Sequence, residues 1–322
     1  MAGEQTISRF TEQFDWEPVV LNSDALKAYA SFIVCGMGGS QLGPMHIQQF
    51  APKPEMILHK DYGLPDMTAA MEKQSLVILS SYSGTTEETL DSGRMALAHG
   101  LPIAAVSTGG TLIDFAREHA LPYVVLPDTG LQPRLAFGYS LLAIARLMAD
   151  TSLEARIRES GKKLNVQVRK DEALSLARAL YGKVPLIYTS RANAPIGYIW
   201  KIKMNETAKV PAFSNMFPEM CHNEINGLDP QETSSLRANM SIIMLTDALD
   251  DPRNQKRMQV AAGIFIERGI SVLQVMLKGE GFAKALDAAI FADWISYALA
   301  AHYGVPDEAT PLITEFKKRI AA

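Results

Sequence analysis

The chain has 322 residues, 48% of them hydrophobic and 20% charged, enough for one large or two medium globular domains with a substantial core. Its 31 basic and 35 acidic residues leave a net charge of −4, which gives no electrostatic footprint for nucleic acid; an anionic ligand has to be held by local donors. The start lacks an apolar signal segment, and the longest apolar stretch, around Ala283–Ala301, carries Lys284, Asp287 and Asp293, so secretion and membrane spanning are excluded and a soluble, cytoplasmic protein is expected.

In chain order, short β-branched runs alternate with helical patterns. Ser31–Cys35 leads into Gly36-Met37-Gly38-Gly39-Ser40 and a helix ending near Phe50. Leu76–Ser80 leads into Ser80-Ser81-Tyr82-Ser83-Gly84-Thr85-Thr86-Glu87-Glu88-Thr89 and a second helix ending near Gly100. Ile103–Ser107 and Tyr123–Leu126 repeat the strand signature, and 134–150 reads as an apolar helix. After a charged helical stretch over 153–181, Leu186–Thr189, Ser241–Leu245 and Ser271–Met276 are further strands. A long helix is expected from about Gly281 to Tyr303, closed by Gly304 and Pro306, and a short amphipathic one over Pro311–Ile320. Apolar strands alternating with helices imply parallel sheets covered on both faces. The expectation is an α/β protein of two similar halves, residues 1–152 and 153–322.

Glycines between a strand and a helix let backbone N–H groups approach an anion at the helix N-terminus. The GMGGS turn fits that role, but a dinucleotide fingerprint needs glycine where Gln41 stands, and a tight turn capped by Ser40 is an equally good reading. The second loop is more informative. Five hydroxyls around one glycine suit a phosphomonoester, which needs convergent donors, whereas a capping box of Thr85 and Glu88 would use only one of them. Arg134, after Pro133 at a helix start, opposes the helix dipole; it either faces an anion or is a solvated loop arginine.

In the second half, Glu206 near a helix end could act as a general base if its surroundings are apolar. His222 lies in the crowded segment Cys221-His222-Asn223-Glu224, where Glu224 could orient it; no second His or Cys stands at metal-ligand spacing. Cys35 and Cys221 form no CxxC pair and read as reduced thiols. Thr310 before Pro311 has the pattern of a helix N-cap, and Lys317 that of a surface lysine.

The set GMGGS, SYSGTTEET, Pro133-Arg134, NETAKVPAF, HNEINGLD and the ending TPLITEFK, in this order over nearly the whole chain, resembles the bifunctional phosphoglucose/phosphomannose isomerase family. The resemblance implies two sugar isomerase (SIS) domains, each a flavodoxin-like three-layer sandwich. It also implies metal-free, cofactor-free interconversion of glucose 6-phosphate, and of mannose 6-phosphate, with fructose 6-phosphate. On that resemblance Gly38, Gly39, Ser40, Ser81, Ser83 and Thr86 hold the phosphate, and Glu206 moves a proton between C1 and C2. Arg134 stabilises the cis-enediolate, while His222 and Lys317 open the ring, the histidine coming from the partner subunit of a homodimer. Thr310 leaves room for C2–C3 rotation. Thr85, Cys221 and Phe316 depart from the family pattern without removing any of these groups. A non-catalytic sugar-phosphate-binding SIS regulator would need the phosphate set but not Glu206, His222 and Lys317; an aminosugar-phosphate isomerase would differ in substrate.

Overall fold

Runs such as Phe32–Cys35 and Leu76–Leu79 have no polar face, and in the computed structural model the strands that contain them are buried at every residue. The structure describes residues 2–229 and 236–320. It divides into two units, one of residues 9–164 with 281–283, the other of residues 2–8, 165–229, 236–280 and 284–320. The opening helix α1 (Ala2–Ser8) belongs to the second.

The first unit is built on a six-stranded sheet. Its elements are β1 (Val20–Leu21), β2 (Ser31–Gly36), α2 (Leu42–Phe50), β3 (Glu55–His59), α3 (Ala69–Gln74), β4 (Ser75–Ser80) and α4 (Glu87–Ala98), then β5 (Ile103–Ser107), α5 (Gly110–Glu118), β6 (Tyr123–Val125), α6 (Phe137–Leu147) and α7 (Thr151–Lys162). The strand order is β1-β6-β5-β4-β2-β3, parallel throughout except for the short β1 at the edge. The five parallel strands thus follow the flavodoxin-like order. Successive strand residues point to opposite faces. Ile33, Cys35, Val77, Leu79 and Ala105 accordingly pack together with Ala96 of α4 and Leu112, Ile113 and Ala116 of α5. The other face is covered by α6, ten of whose eleven residues are buried. Burial pushes the Cys35 thiol up to about 12, so this cysteine is core filling rather than a nucleophile.

The second unit carries a four-stranded parallel sheet of order β10-β9-β7-β8. It comprises α8 (Lys170–Leu180), β7 (Val184–Ser190), α9 (Ala194–Glu206), β8 (Phe213–Phe217), α10 (Glu224–Gly227), α11 (Leu236–Asn239), β9 (Met240–Thr246), α12 (Pro252–Glu267), β10 (Ser271–Met276), all but the first three residues of α13 (Gly281–Tyr303), and α14 (Pro311–Ile320). Tyr188, Ile242 and Met244 pack on one face against Met258, Ala261, Ala262 and Phe265 of α12. Trp200 of α9 meets Phe291 of α13 edge to face at 5.6 Å, and both are buried.

His46 is a titratable group sealed into the first unit. Its ring meets Phe137 at 4.9 Å, Nδ1 lies 2.8 Å from the Leu42 carbonyl, and Nε2 is buried with no hydrogen-bond partner. Burial lowers its pKa from 6.5 to about 4. Between those values the unfolded chain binds the proton and the folded chain does not. Stability should therefore fall as pH drops from neutrality towards 4, with this ring contributing up to about 3 kcal/mol of the loss. Urea unfolding at neutral and mildly acidic pH should show that loss in the parent protein and a smaller one in a His46→Leu variant; equal losses would overturn the assignment.

Candidate active site

In the first sheet the chain runs outward from β2 to β3, then crosses back to β4 and on to β5. Loops leaving the carboxyl ends of β2 and β4 therefore diverge and open a crevice, the place where ligands bind in sheets of this kind. Gly36 at the end of β2 pairs with Ser80 at the end of β4, so the two polar turns found in the sequence leave the sheet side by side. A side chain at Gly36 would stand 2.5 Å from the Ser80 carbonyl oxygen.

The two turns are tied together by their hydroxyls. Ser40 Oγ accepts from the Tyr82 N–H at 2.9 Å, and Ser80 Oγ donates to the Ser40 carbonyl at 3.1 Å. Ser81 and Thr86 share a hydrogen bond of 2.8 Å between hydroxyls, and Ser81 Oγ also accepts from the Gly84 N–H. Ser83 is exposed, its hydroxyl 3.2 Å from that of Thr85. Gly84 has φ +70°, and a Cβ there would fall 1.8 Å from the Gly109 carbonyl oxygen, so the loop needs glycine on both counts. Neither helix-capping alternative holds. Thr86, not Thr85, precedes α4 and its side chain makes no capping bond; Ser40 Oγ likewise accepts from the Tyr82 N–H instead of capping α2.

A third loop joins them. Pro133–Leu135 forms a short 3-10 turn ahead of α6, where the sequence had suggested one helix from residue 134. A Cβ on Gly39 would lie 2.8 Å from Pro133 Cβ and 2.9 Å from the Arg134 backbone nitrogen, so this turn is pressed onto the GMGGS loop. Arg134 has no exposed surface, which overturns the solvated-arginine reading. Gly38 sits at φ +51° with open space where a Cβ would point. Ser40, Ser81 and Thr86 and the glycine backbones thus belong to one cluster rich in neutral donors, with the backbone of Arg134 packed against it.

Gln41 is a residue whose role sequence reasoning missed. Its buried Nε2 lies 3.0 Å from the carbonyls of Val34, Gly36 and His59, stapling the ends of β2 and β3 beneath the loop. The place a dinucleotide site reserves for glycine is structurally committed to a long side chain.

In the second unit Glu206 is the last residue of α9 and half-buried. His222 ends a short turn over Glu219–His222 and is exposed. Glu224 is not its orienting partner: its carboxylate accepts from the Tyr188 hydroxyl at 2.5 Å and from the Asn215 amide. Thr310 is half-buried, and its carbonyl accepts the Thr314 N–H at 3.0 Å as α14 begins. Lys317 lies on α14, which is exposed along its length. Glu206 and His222 thus stand on different elements from Thr310 and Lys317.

The switch point of the second sheet, between β7 and β9, is filled by carboxylates. Asp250 Oδ1 accepts from Ser190 Oγ at 2.5 Å and from the Asn193 amide at 3.1 Å; Asp247 accepts from the same amide at 2.9 Å and from Lys284. Burial pushes the Asp250 carboxyl up. Burial acts on Asp247 in the same sense, but Lys284, the Leu249 N–H and Asn193 outweigh it and leave that group below its ordinary value. The two sheets thus differ in chemistry at equivalent places, hydroxyls and glycines in the first and a carboxylate, amide and lysine network in the second. Among the described residues no group of three or more His, Cys, Asp or Glu is placed to hold a metal ion.

Comparison with known proteins meets this geometry. Residues 169–320 match the family described as the bacterial phospho-glucose isomerase C-terminal SIS domain. The chain is 31% identical over 328 aligned positions to a bifunctional phosphoglucose/phosphomannose isomerase of Aquifex aeolicus, covering 98% of this chain and 97% of that one. It is 33% identical to the enzyme of the same name from Caldicellulosiruptor bescii, over 87% and 86% of the two chains. The chain belongs to the bifunctional phosphoglucose/phosphomannose isomerase family. The SIS-domain fold of that family reaches further than its sequences. A solved structure of glucosamine-6-phosphate deaminase from Thermotoga maritima superposes with a TM-score of 0.69 at 16% identity, over 97% of this chain and 98% of that one. Identity that low speaks for the fold alone.

Proposed function

We propose that the chain is an aldose–ketose isomerase that interconverts glucose 6-phosphate, and mannose 6-phosphate, with fructose 6-phosphate. The reading is carried by one observation: the hydroxyl-rich loops of β2 and β4 are hydrogen-bonded to each other at the switch point of the first sheet. Likeness to named isomerases over nearly the full chain supports it. Gly38, Gly39, Ser40, Ser81, Ser83 and Thr86 hold the phosphate within residues 1–152, and fixing that end of the sugar positions the reacting carbons at little further entropic cost. His222 and Lys317, within residues 153–322, move protons at O5 and O1 to open the ring. Glu206 takes the proton from C2 and returns it to C1, so no hydride moves, and the buried Arg134 stabilises the negative charge that develops on oxygen. Thr310 leaves room for rotation about C2–C3. The enzyme works in the cytoplasm as a homodimer, with His222 supplied by the partner subunit, and without a metal.

The test is an assay of purified, EDTA-treated protein with glucose 6-phosphate, mannose 6-phosphate and fructose 6-phosphate. Interconversion of all three is expected. Activity lost on chelation and restored by a metal would remove the metal-free chemistry. Binding without turnover would make the chain a sensor, and turnover of glucosamine 6-phosphate alone would make it an aminosugar isomerase.

A further inference from the structure

We propose that Lys209 is a positioning residue for Glu206, holding the last turn of α9 in place through its backbone carbonyls. This rests on the reading of Glu206 as the base. Glu206 ends its helix, and the chain then turns back on itself: the N–H groups of Thr207 and Ala208 return to the Lys203 carbonyl, and that of Val210 to Met204. The Ala212 N–H adds a bond to Asn205 Oδ1 at 2.8 Å. Lys209 stands in the middle of this turn with φ +57°, in the left-handed region. Its side chain folds back so that Nζ donates to the backbone carbonyls of Glu206 at 2.6 Å and Thr207 at 3.3 Å.

A left-handed residue just past a helix end is usually glycine, because a Cβ there crowds the backbone. Ala120 and Ala149 adopt the same conformation past the ends of α5 and α6, but neither has a side-chain donor. Lysine therefore costs backbone energy that glycine would avoid. What it supplies in return is an ammonium on the carbonyl of the proposed base, at the negative end of the helix dipole. A half-buried donor that fixes this carbonyl limits rocking of the glutamate's own backbone. Strain kept where it positions a reacting group is the pattern expected of functional sites.

Lys209→Gly separates the two contributions. Relief of the left-handed strain should leave the melting temperature equal to or above that of the parent, while loss of the pin lowers kcat by about ten- to a hundredfold, the scale of a small misplacement of a catalytic group. KM for fructose 6-phosphate should stay within about twofold, because uniform substrate binding is untouched. Lys209→Arg, which keeps a donor, should recover most of kcat; Lys209→Met, which keeps the strain without the donor, should lose kcat and melt lower. In a Glu206→Gln background the Lys209→Gly change should have no further effect on residual turnover. Parental kcat in Lys209→Gly, with Glu206→Gln inactive, would overturn the role of Lys209 and leave Glu206 as the base. Parental kcat in Glu206→Gln would overturn the reading on which both rest.

Discussion

Replacing Glu206 by glutamine is expected to lower kcat for the glucose 6-phosphate to fructose 6-phosphate conversion by about 10³-fold, the range of a lost general base. The substitution is nearly isosteric at a half-buried helix end, so the fold should survive it. KM should change little, since the proposed phosphate contacts come from Ser40, Ser81 and Thr86 and not from this residue. Glutamine cannot accept the C2 proton, and exchange of that proton with D2O should fall in parallel with turnover. Exchange that persists while isomerisation is lost would move the base elsewhere. Turnover within about tenfold of the parent would rule Glu206 out of the proton transfer.

Much of the first unit's candidate site is legible in the sequence because its signals are local. A hydroxyl-rich turn between an apolar strand and a helix can be read without knowing the fold, and the parallel topology of α/β alternation then places it at a strand's carboxyl end. Helix limits set by local punctuation are equally readable: α13 stops at Gly304 in the left-handed conformation and α14 starts at Pro311. Strands β3 (EMILH) and β8 (FSNMF) escape, because each is a short edge strand following proline and carries polar residues that break the apolar run. Gln41 and Arg134 show another limit. Their local settings suggest a failed glycine and a misplaced cation, whereas both side chains are buried and Gln41 is held at the ends of β2 and β3. The carboxylate cluster at the second switch point is assembled from β7, β9 and α13, across 94 residues from Ser190 to Lys284, and no local pattern announces it.

The charges of α13 carry this furthest, and they set the largest expected effect on stability. Lys284, Asp287 and Asp293 exclude a membrane span by their mere presence, but their partners lie far off in sequence: Asp247 for Lys284, Arg169 for Asp287 and Lys203 for Asp293. The Lys203–Asp293 pair is 2.5 Å long with side chains 1% and 4% exposed, and it joins α13 to α9 one turn before Glu206. Attraction between two such charges is offset by the cost of removing both from water, so the pair as a whole adds little; breaking it is what costs. An Asp293→Ala variant leaves the Lys203 ammonium buried without its carboxylate and should lose about 3–5 kcal/mol of unfolding free energy. A Lys203→Met, Asp293→Leu double variant removes both charges and fills similar volume, and should recover most of that loss. Denaturant unfolding of the three proteins decides it. A loss in the single variant below about 1 kcal/mol, the scale of a solvent-exposed pair, would mean water reaches this junction. Recovery of stability in the double variant, with turnover still depressed, would assign the pair to holding α9 in register rather than to keeping the chain folded.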